Sequence, residues 1–215
     1  MTAHGNSDLL ADAIVDRFVT MATQAIEARG RFHVALAGGT TPKVCYQRLR
    51  HADLDWSNIH LWFGDERCLP IGDPERNDTM AKDALIEHID IPKENIHPMA
   101  AERGAIFAAE NYAHQLIEQG VTFDLVLLGM GEDGHTASLF PNNPALLEKE
   151  QVVVAVFNAP KPPPERVSLG YASINHARHR MIIVTGDGKR AVFERICKGE
   201  LFPISIPASE WHYAF

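Results

Sequence analysis

The sequence predicts a single-domain α/β protein in which one doubly wound, mostly parallel sheet carries helices on both faces. Short unbroken apolar runs, such as residues 125–128, are typical of strands that are buried on both sides. These runs alternate with segments whose apolar residues recur every three or four positions, as in amphipathic helices. The 215 residues suffice for one core, and no linker, repeat or low-complexity tract divides them. We therefore expect residues 1–215 to form one domain.

The predicted elements follow one another in a regular order. They are a helix at 8–29, a strand at 32–37, a helix from 42, a strand at 59–63, a helix at 81–89, a helix at 105–119, strands at 125–128, 152–157 and 167–169, a helix at 174–177, a strand at 181–185 and a helix after 189. Gly30 and Gly120 end two of the helices, and the proline-rich loop 158–164 cannot be helical. Because parallel strands are joined by right-handed crossovers, we expect their carboxyl ends to share one edge of the sheet.

Composition and charge narrow the possible partners and location. The formal net charge is -8 and the pI is about 5.7, which argues against a nucleic-acid or anionic-membrane surface but allows a small anionic substrate. Cys45, Cys68 and Cys197 have neither paired nor metal-ligand spacing, which is typical of reduced thiols. No apolar run approaches the ~18 residues needed to cross a bilayer, and the first thirty residues lack a signal-peptide core. We expect a cytoplasmic protein with no nucleic-acid, membrane or obligate protein partner.

A glycine- and threonine-rich loop follows the strand at 32–37. Pro42 suits the first helical position and Thr41 the cap before it. The loop at this helix amino terminus consists of Gly38, Gly39, Thr40 and Thr41. Free backbone N–H groups and the positive end of the helix dipole favour an anion there. The sequence therefore predicts a phosphate-binding loop, although the same residues also suit an ordinary tight turn.

The strand at 125–128 leads into a loop that combines three glycines with an acid and an imidazole. Gly129, Gly131 and Gly134 allow tight turns and close approach to a ligand, and Asp133 and His135 are two residues apart. Imidazole side chains titrate near neutrality, so His135 is the candidate general base or acid, and Asp133 is the group that orients it. The chain has eleven histidines, and only the flanking glycines and acid distinguish His135 from a surface or core histidine.

Two further polar clusters follow predicted strands, at residues 65–67 and 186–189. Arg67 suits a bidentate contact with phosphate, and Lys189 suits a point-charge contact. Taken singly, the first cluster is also typical of a solvated loop, and Lys189 of an exposed first helical turn. Four polar clusters at one edge of a sheet indicate a shared pocket.

Three other kinds of site fit the sequence poorly. The glycines of the 129–135 loop match the spacing of a dinucleotide-binding loop, but Pro141 and Pro144 interrupt the long helix that such a loop opens. No pair of histidines or acids has metal-ligand spacing on one face. Ser138 lacks the flanking glycines of a nucleophilic serine elbow. A nicotinamide cofactor, a metal ion and a serine nucleophile are therefore not expected.

Three motifs make the sequence similar to the 6-phosphogluconolactonase family over about residues 8–198. They are AGGTTPK at 37–43, FGDERCLP at 63–70 with Asn77 after it, and GMGEDGHTASLFP at 129–141. The resemblance implies a cytosolic hydrolase that opens 6-phospho-D-glucono-1,5-lactone to 6-phospho-D-gluconate in the oxidative pentose phosphate pathway. It further implies that a small phosphosugar lactone is the partner and that no metal or organic cofactor takes part.

The resemblance also implies roles for individual residues. His135 would activate water, and Asp133 would hold or tune it. Arg67 and Arg166 would bind phosphate or stabilise the developing oxyanion. The residues that would seat the 6-phosphate are Gly38, Gly39, Thr40, Thr41 and Lys189.

Other positions carry weaker implications. Asn77 would organise the loop that carries Arg67, and Asp65, which corresponds to the proton-transfer acid of related deaminases, would give structural or polar support. Ala37 and Arg76 stand where the family commonly has serines. Neither difference removes a proposed catalytic group.

The related glucosamine-6-phosphate deaminases share the Gly-Asp-Gly-His core. They follow it with a Phe-Asn-Glu-Pro run whose glutamate assists ring opening, whereas here Phe140 precedes the proline. The missing carboxylate favours a lactonase over a sugar-phosphate isomerase or deaminase. A catalytically silent sugar-phosphate sensor is a third alternative. It is disfavoured because the Asp133-Gly134-His135 core is intact and no DNA-binding module is evident.

Overall fold

The computed structural model describes residues 1–206 and 209–215. Its helices are α1 (Ser7–Arg29), α2 (Thr40–Leu49), α3 (Asn77–Ala84), α4 (Ala105–Glu118), α5 (Tyr171–His176) and α6 (Arg190–Cys197). Its strands are β1 (Thr2–Ala3), β2 (Phe32–Leu36), β3 (Ile59–Phe63), β4 (Asp65–Arg67), β5 (Leu125–Gly129), β6 (Val153–Val156), β7 (Arg166–Leu169), β8 (His179–Thr185) and β9 (Glu210–Ala214). Within these described ranges, no helix is both long and apolar enough to cross a membrane.

The main sheet is parallel, with strand order β1-β9-β8-β5-β2-β3 in the described residues. Phe18 of α1 packs edge-on against Phe32 of β2, with the ring centres 5.3 Å apart. Tyr112 of α4 packs in the same way against Trp62 of β3, at 5.6 Å. Phe32 is aligned with Ile59, three residues before Trp62, and side chains alternate along a strand, so these two contacts lie on opposite faces. The doubly wound α/β fold with helices on both faces is confirmed.

A second, antiparallel sheet has the order β4-β7-β6. The sequence predicted β6 and β7 as members of one mostly parallel sheet and β4 as a polar loop, and both expectations were wrong. Gly64 explains the difference. Its N–H donates to the carbonyl of Leu36 in β2, and its own carbonyl accepts the N–H of Leu169 in β7, both at 2.8 Å. The chain therefore passes from one sheet to the other at a single residue.

The amino terminus of α2 differs from the predicted one by two residues. The helix begins at Thr40 and Gly39 is its cap, without a side-chain capping bond. Thr41 is the second residue of the helix and not its cap, and its hydroxyl lies 2.5 Å from the hydroxyl of Thr185 at the end of β8. Pro42 is tolerated in the first turn because N–H groups there have no intrahelical partner.

The structure also changes the predicted helix bounds in two other regions. The segment predicted as one helix at 81–89 is divided between α3, which already begins at Asn77, and a 3-10 turn at Ile86–His88. A 3-10 turn at Asp187–Lys189 precedes α6. Pro207 and Ala208 lie outside the described residues, and β9 beyond them pairs in parallel with β8.

Candidate active site

A cavity of about 380 Å³ lies at the carboxyl ends of β2, β3 and β5. The predicted site residues that line it are Gly38, Gly39, Asp65, Arg67, Asn77, His135, Arg166 and Lys189. Thr40, Thr41 and Asp133 do not line it; Thr40 follows Gly39 in the chain, and Asp133 is hydrogen-bonded to His135. The structure thus brings the four polar clusters of the sequence to one cavity.

The imidazole of His135 is paired with the carboxylate of Asp133. Its Nδ1 lies 2.5 Å from Oδ1 of Asp133, which also accepts the backbone N–H of His135 at 3.1 Å. Burial alone would raise the pKa of Asp133, but the hydrogen bond and charge of His135 outweigh burial and lower it. A carboxylate in that state accepts a proton-bearing Nδ1, which leaves Nε2 as the ring nitrogen with a free lone pair. The arrangement suits a base whose tautomer is fixed.

The loop around His135 is closed by its own backbone. The N–H of Gly131 donates to the carbonyl of His135 at 2.9 Å, and the N–H of Gly134 donates to the carbonyl of Gly131 at 3.0 Å. The imidazole packs on the ring of Phe140, with centres 4.4 Å apart. Ala137 has a φ of 47°, a left-handed conformation that costs a non-glycine residue about 1–3 kcal/mol. The imidazole is therefore held on two sides while it borders the cavity.

The amino terminus of α2 presents unpaired N–H groups to the cavity rim. The first bond within the helix runs from the N–H of Lys43 to the carbonyl of Gly39, at 3.1 Å. The N–H groups before it have no intrahelical partner, which is the usual setting for a bound phosphate. The Thr41–Thr185 contact joins this helix end to the segment that carries Lys189. The predicted phosphate loop and the predicted lysine are thus neighbours.

Lys189 has two charged neighbours that the sequence analysis missed. Burial lowers the pKa of Lys189, Glu132 opposes this shift, and Lys161 adds to it. Both Glu132 and Lys161 line the cavity. Glu132 lies inside the predicted glycine loop and could have been found there, whereas Lys161 lies in the proline-rich loop after the predicted strand at 152–157, which the sequence analysis interpreted only as a stiff, non-helical segment. A lysine beside a second cation in a partly desolvated position favours an anionic ligand.

Arg166 and Arg67 reach the cavity from the second sheet. The Nε and Nη2 atoms of Arg166 donate to three successive carbonyls of the proline-rich loop, those of Lys161 (3.1 Å), Pro162 (3.2 Å) and Pro163 (3.2 Å). Burial lowers the pKa of Arg166, and Asp65 opposes this while Arg67 adds to it. The Nη1 of Arg67 donates to the carbonyl of Glu75. Each guanidinium thus fixes a loop and keeps further N–H donors for a ligand.

Glu66, between Asp65 and Arg67, is fully buried. Its carboxylate accepts the backbone N–H groups of Arg67, Asn77 and Asp78, each at 2.8 Å, and so caps α3. Burial, with the Asp78 carboxylate nearby, raises the pKa of Glu66 to about 7, although the N–H donors favour its charged form. These contacts rule out the solvated-loop alternative for residues 65–67.

Arg76 lies behind the cavity and is only 1% exposed. It donates to Asp78 at 2.5 and 2.9 Å and to Glu102 at 3.1 Å, and it lies 3.9 Å from Glu66. The arginine that replaces a serine of the resembled family is therefore the buried centre of an ion network in which Glu66 is buried and Asp78 and Glu102 are partly exposed. Among the described residues, including those around Arg76, no group of three or more histidine, cysteine or acidic side chains could hold a metal ion.

Comparisons with known proteins agree with this geometry. The family model described as "Glucosamine-6-phosphate isomerases/6-phosphogluconolactonase" matches residues 5–212. A 6-phosphogluconolactonase of Mycobacterium tuberculosis is 39% identical over 218 residues, covering 95% of this chain and 87% of the relative. One of Streptomyces coelicolor is 37% identical over 206 residues, covering 88% and 79%. The crystal structure of 6-phosphogluconolactonase from Thermotoga maritima superposes with a TM-score of 0.90 at 25% identity, covering 99% of this chain and 97% of that one.

Proposed function

This chain belongs to the family of glucosamine-6-phosphate isomerases and 6-phosphogluconolactonases, and we propose that it hydrolyses 6-phospho-D-glucono-1,5-lactone to 6-phospho-D-gluconate, with His135 activating water. The observation that carries the proposal is the His135–Asp133 pair at a cavity that also holds a helix amino terminus and several cationic residues. The proposal includes a place in the oxidative pentose phosphate pathway, as the names of the relatives imply.

In the proposed reaction the Nε2 atom of His135 removes a proton from water as the water oxygen bonds to the lactone carbonyl carbon. The carbonyl electron pair moves onto its oxygen, which becomes an oxyanion. When that intermediate collapses, the bond to the ring oxygen breaks and the proton on Nε2 passes to the leaving oxygen. Asp133 stabilises the imidazolium between these steps. A positioned acid–base group contributes about 10²- to 10⁴-fold to the rate.

The other groups supply orientation and charge. The amino terminus of α2 and Lys189 hold the 6-phosphate, and Arg67 or Arg166 stabilises the oxyanion, a contribution of ~3 kcal/mol per donor in other acyl transfers. The lactone is an activated ester, so one base, one oxyanion donor and one anchor are sufficient. Because the anchor fixes the position of the carbonyl, a phosphate distant from the reacting carbon still affects the rate.

The test is the hydrolysis rate of freshly prepared 6-phosphogluconolactone, with spontaneous hydrolysis in buffer subtracted. We expect a large enzymatic rate that falls at least ~100-fold in His135→Ala. The matched control is His114→Ala, an exposed histidine on α4 that should leave the rate unchanged. A wild-type rate no higher than that of buffer would disprove the proposal.

The same samples test the two alternatives. Ammonia release from glucosamine 6-phosphate would indicate a deaminase, which is disfavoured because Phe140, and not a glutamate, precedes the proline. Binding of phosphosugars without turnover would indicate a sensor. Unchanged lactone hydrolysis in His135→Ala would remove the histidine from the mechanism.

A further inference from the structure

Asp65 is a buried carboxylate that the mechanism above does not use. It is 8% exposed and lines the cavity. Its Oδ2 accepts the hydroxyl of Ser138 at 2.6 Å, and its Oδ1 accepts Nδ2 of Asn77 at 3.0 Å. The same Nδ2 donates to the backbone carbonyl of Asp65 at 2.8 Å. The carboxylate is thus fixed from two directions.

Ser138 is fully buried and joins two parts of the site. It follows His135 by three residues, and its backbone N–H donates to the hydroxyl of Ser168 in β7 at 3.2 Å. Its hydroxyl reaches Asp65 in β4, 73 residues earlier in the chain. The hydrogen bond from the Ser138 hydroxyl to Asp65 therefore connects the loop that carries the imidazole of His135 to strand β4 of the second sheet.

The chemistry of a carboxylate limits what Asp65 can bind. An ionised carboxylate is an acceptor with about four lone-pair sites, and only two of those of Asp65 are occupied by Ser138 and Asn77. The negative charge of Asp65 repels both a phosphate and an oxyanion, so Asp65 neither binds the 6-phosphate nor stabilises the oxyanion. Within residues 1–206 and 209–215 no lysine or arginine nitrogen lies within 4 Å of it, so its charge, which opposes the effect of burial on the pKa of Arg166, acts without occupying its oxygens. Hydroxyl groups are the hydrogen-bond donors that a sugar lactone offers.

We propose that Asp65, locked in place by Ser138 and Asn77, accepts a hydrogen bond from a ring hydroxyl of the substrate and thereby selects polyhydroxylated lactones. The inference rests on the proposed lactonase function and names Asp65 as the residue that determines its specificity for hydroxylated lactones. Ser138 acts as a positioning residue through Asp65. A site built to bind a hydroxyl discriminates strongly against analogues that lack it, because its buried acceptor is then left unpaired.

The test compares 6-phosphogluconolactone with its 2-deoxy, 3-deoxy and 4-deoxy analogues, each prepared fresh, in wild type, Asp65→Asn, Ser138→Ala and the double variant. Asparagine keeps the shape of Asp65, and the Ser138 hydroxyl can turn to accept from it. Alanine at 138 removes only the hydroxyl and leaves the N–H bond to Ser168. Thermal unfolding of each variant checks that the fold is kept.

We expect kcat/KM of the wild type to fall about 10- to 100-fold for the deoxy analogue that lacks the recognised hydroxyl. Asp65→Asn and Ser138→Ala should lose activity on the parent lactone but lose much less on that analogue, and the double variant should be no worse than Asp65→Asn. Equal losses on the parent and on all three analogues would overturn the inference while the lactonase function stands. A wild type that hydrolyses none of the lactones would instead overturn the proposed function itself.

Discussion

Gly38 lies directly against the side chain of Asn77: a Cβ atom added to Gly38 would come within 2.0 Å of Oδ1 of Asn77. Asn77 is 7% exposed and its Nδ2 is committed to Asp65, so it cannot move aside freely. The proposed phosphate loop and the first residue of α3 are therefore packed backbone to side chain. This contact links the phosphate side of the cavity to Asp65.

Gly38→Ala is expected to displace the phosphate loop and to raise KM for the lactone at least about 10-fold, because the loss of one oriented anion contact is worth that much. The measurement is initial-rate kinetics together with thermal unfolding. The control is Gly30→Ala at the end of α1, where an added Cβ meets no atom within 4 Å but φ is 75°. Gly30→Ala should lower stability and leave KM unchanged, and equal KM values in both variants would contradict the prediction.

Asp133→Asn should lower kcat at least about 10-fold with little change in KM, because the amide keeps the shape but cannot stabilise an imidazolium. Asp133 does not line the cavity, so ground-state binding does not depend on it directly. The measurement is kcat and KM at several pH values. Asp16→Asn, an exposed acid on α1, is the control. A rise in KM with unchanged kcat would show that Asp133 acts on binding instead.

Strands β2, β3, β5 and β8 of the parallel sheet were predictable because each contains a local apolar run, and parallel topology places their carboxyl ends together. The two-residue strand β1 and strand β9, with the sequence EWHYA, have no such run and were not predicted. The second sheet was not predictable in this way. Strand β4 is the tripeptide Asp65–Arg67, whose polar sequence gives no strand pattern. Its burial depends on the Glu66 carboxylate, which accepts N–H groups 11 and 12 residues later in the chain.

The candidate site shows the same division between local and distant information. His135, Asp133 and the proposed phosphate loop are recognisable from contiguous motifs. The Ser138–Asp65 bond joins residues 73 positions apart, and the placement of Lys161 depends on the bonds of Arg166 to the proline-rich loop. Such contacts follow from tertiary packing, which no local pattern in the sequence encodes.

Lys189 has a lowered pKa, so it should lose its charge at a lower pH than an ordinary lysine does. Phosphate binding requires the charged form, and affinity for 6-phosphogluconate should therefore decline as pH rises from 7 to 10. In Lys189→Arg the decline should be weaker, because guanidinium stays protonated throughout this range. Titration calorimetry measures the affinity for 6-phosphogluconate at each pH. The control is Lys198→Arg, at an exposed lysine. Parallel curves for wild type and Lys189→Arg would refute the prediction.

Arg76→Met should lower the free energy of unfolding by about 3–5 kcal/mol, because it leaves the buried Glu66 and the partly exposed Asp78 and Glu102 without a counter-charge. Asp78 and Glu102 would lose their direct bonds, and Glu66 its nearby cation. Arg17→Met is the control, because its ion pair with Glu210 is about 40% exposed at the arginine and such pairs contribute about 0–1 kcal/mol. Urea unfolding measures the free energy of unfolding of both variants. Similar losses in Arg76→Met and Arg17→Met would show that the ion network around Arg76 contributes no more than an exposed pair.

Three histidines and a tryptophan form a stacked group on the α4 face of the main sheet. The ring of His97 stacks on Trp62 with centres 3.8 Å apart, and its Nε2 lies 3.2 Å from Nδ1 of His60. Nδ1 of His33 accepts the indole N–H of Trp62 at 3.1 Å. Burial, and then the neighbouring charges, lower the pKa of His33 to about 3 and that of His97 to about 4. Both rings are therefore neutral in the folded protein.

Because these pKa values lie below the 6.5 of an unfolded histidine, the unfolded chain binds more protons as the medium is acidified. The neutral rings of His33 and His97 contribute fully to stability above about pH 6.5, and this contribution is lost as the pH falls toward 4. His97→Phe keeps the stack on Trp62 but removes the titrating ring. Between pH 7.5 and 5.0, wild type should therefore lose up to about 2 kcal/mol more unfolding free energy than His97→Phe. Urea unfolding at the two pH values measures this, with His114→Ala expected to behave as wild type. Equal losses in wild type and His97→Phe would mean that His97 is not held neutral by the fold.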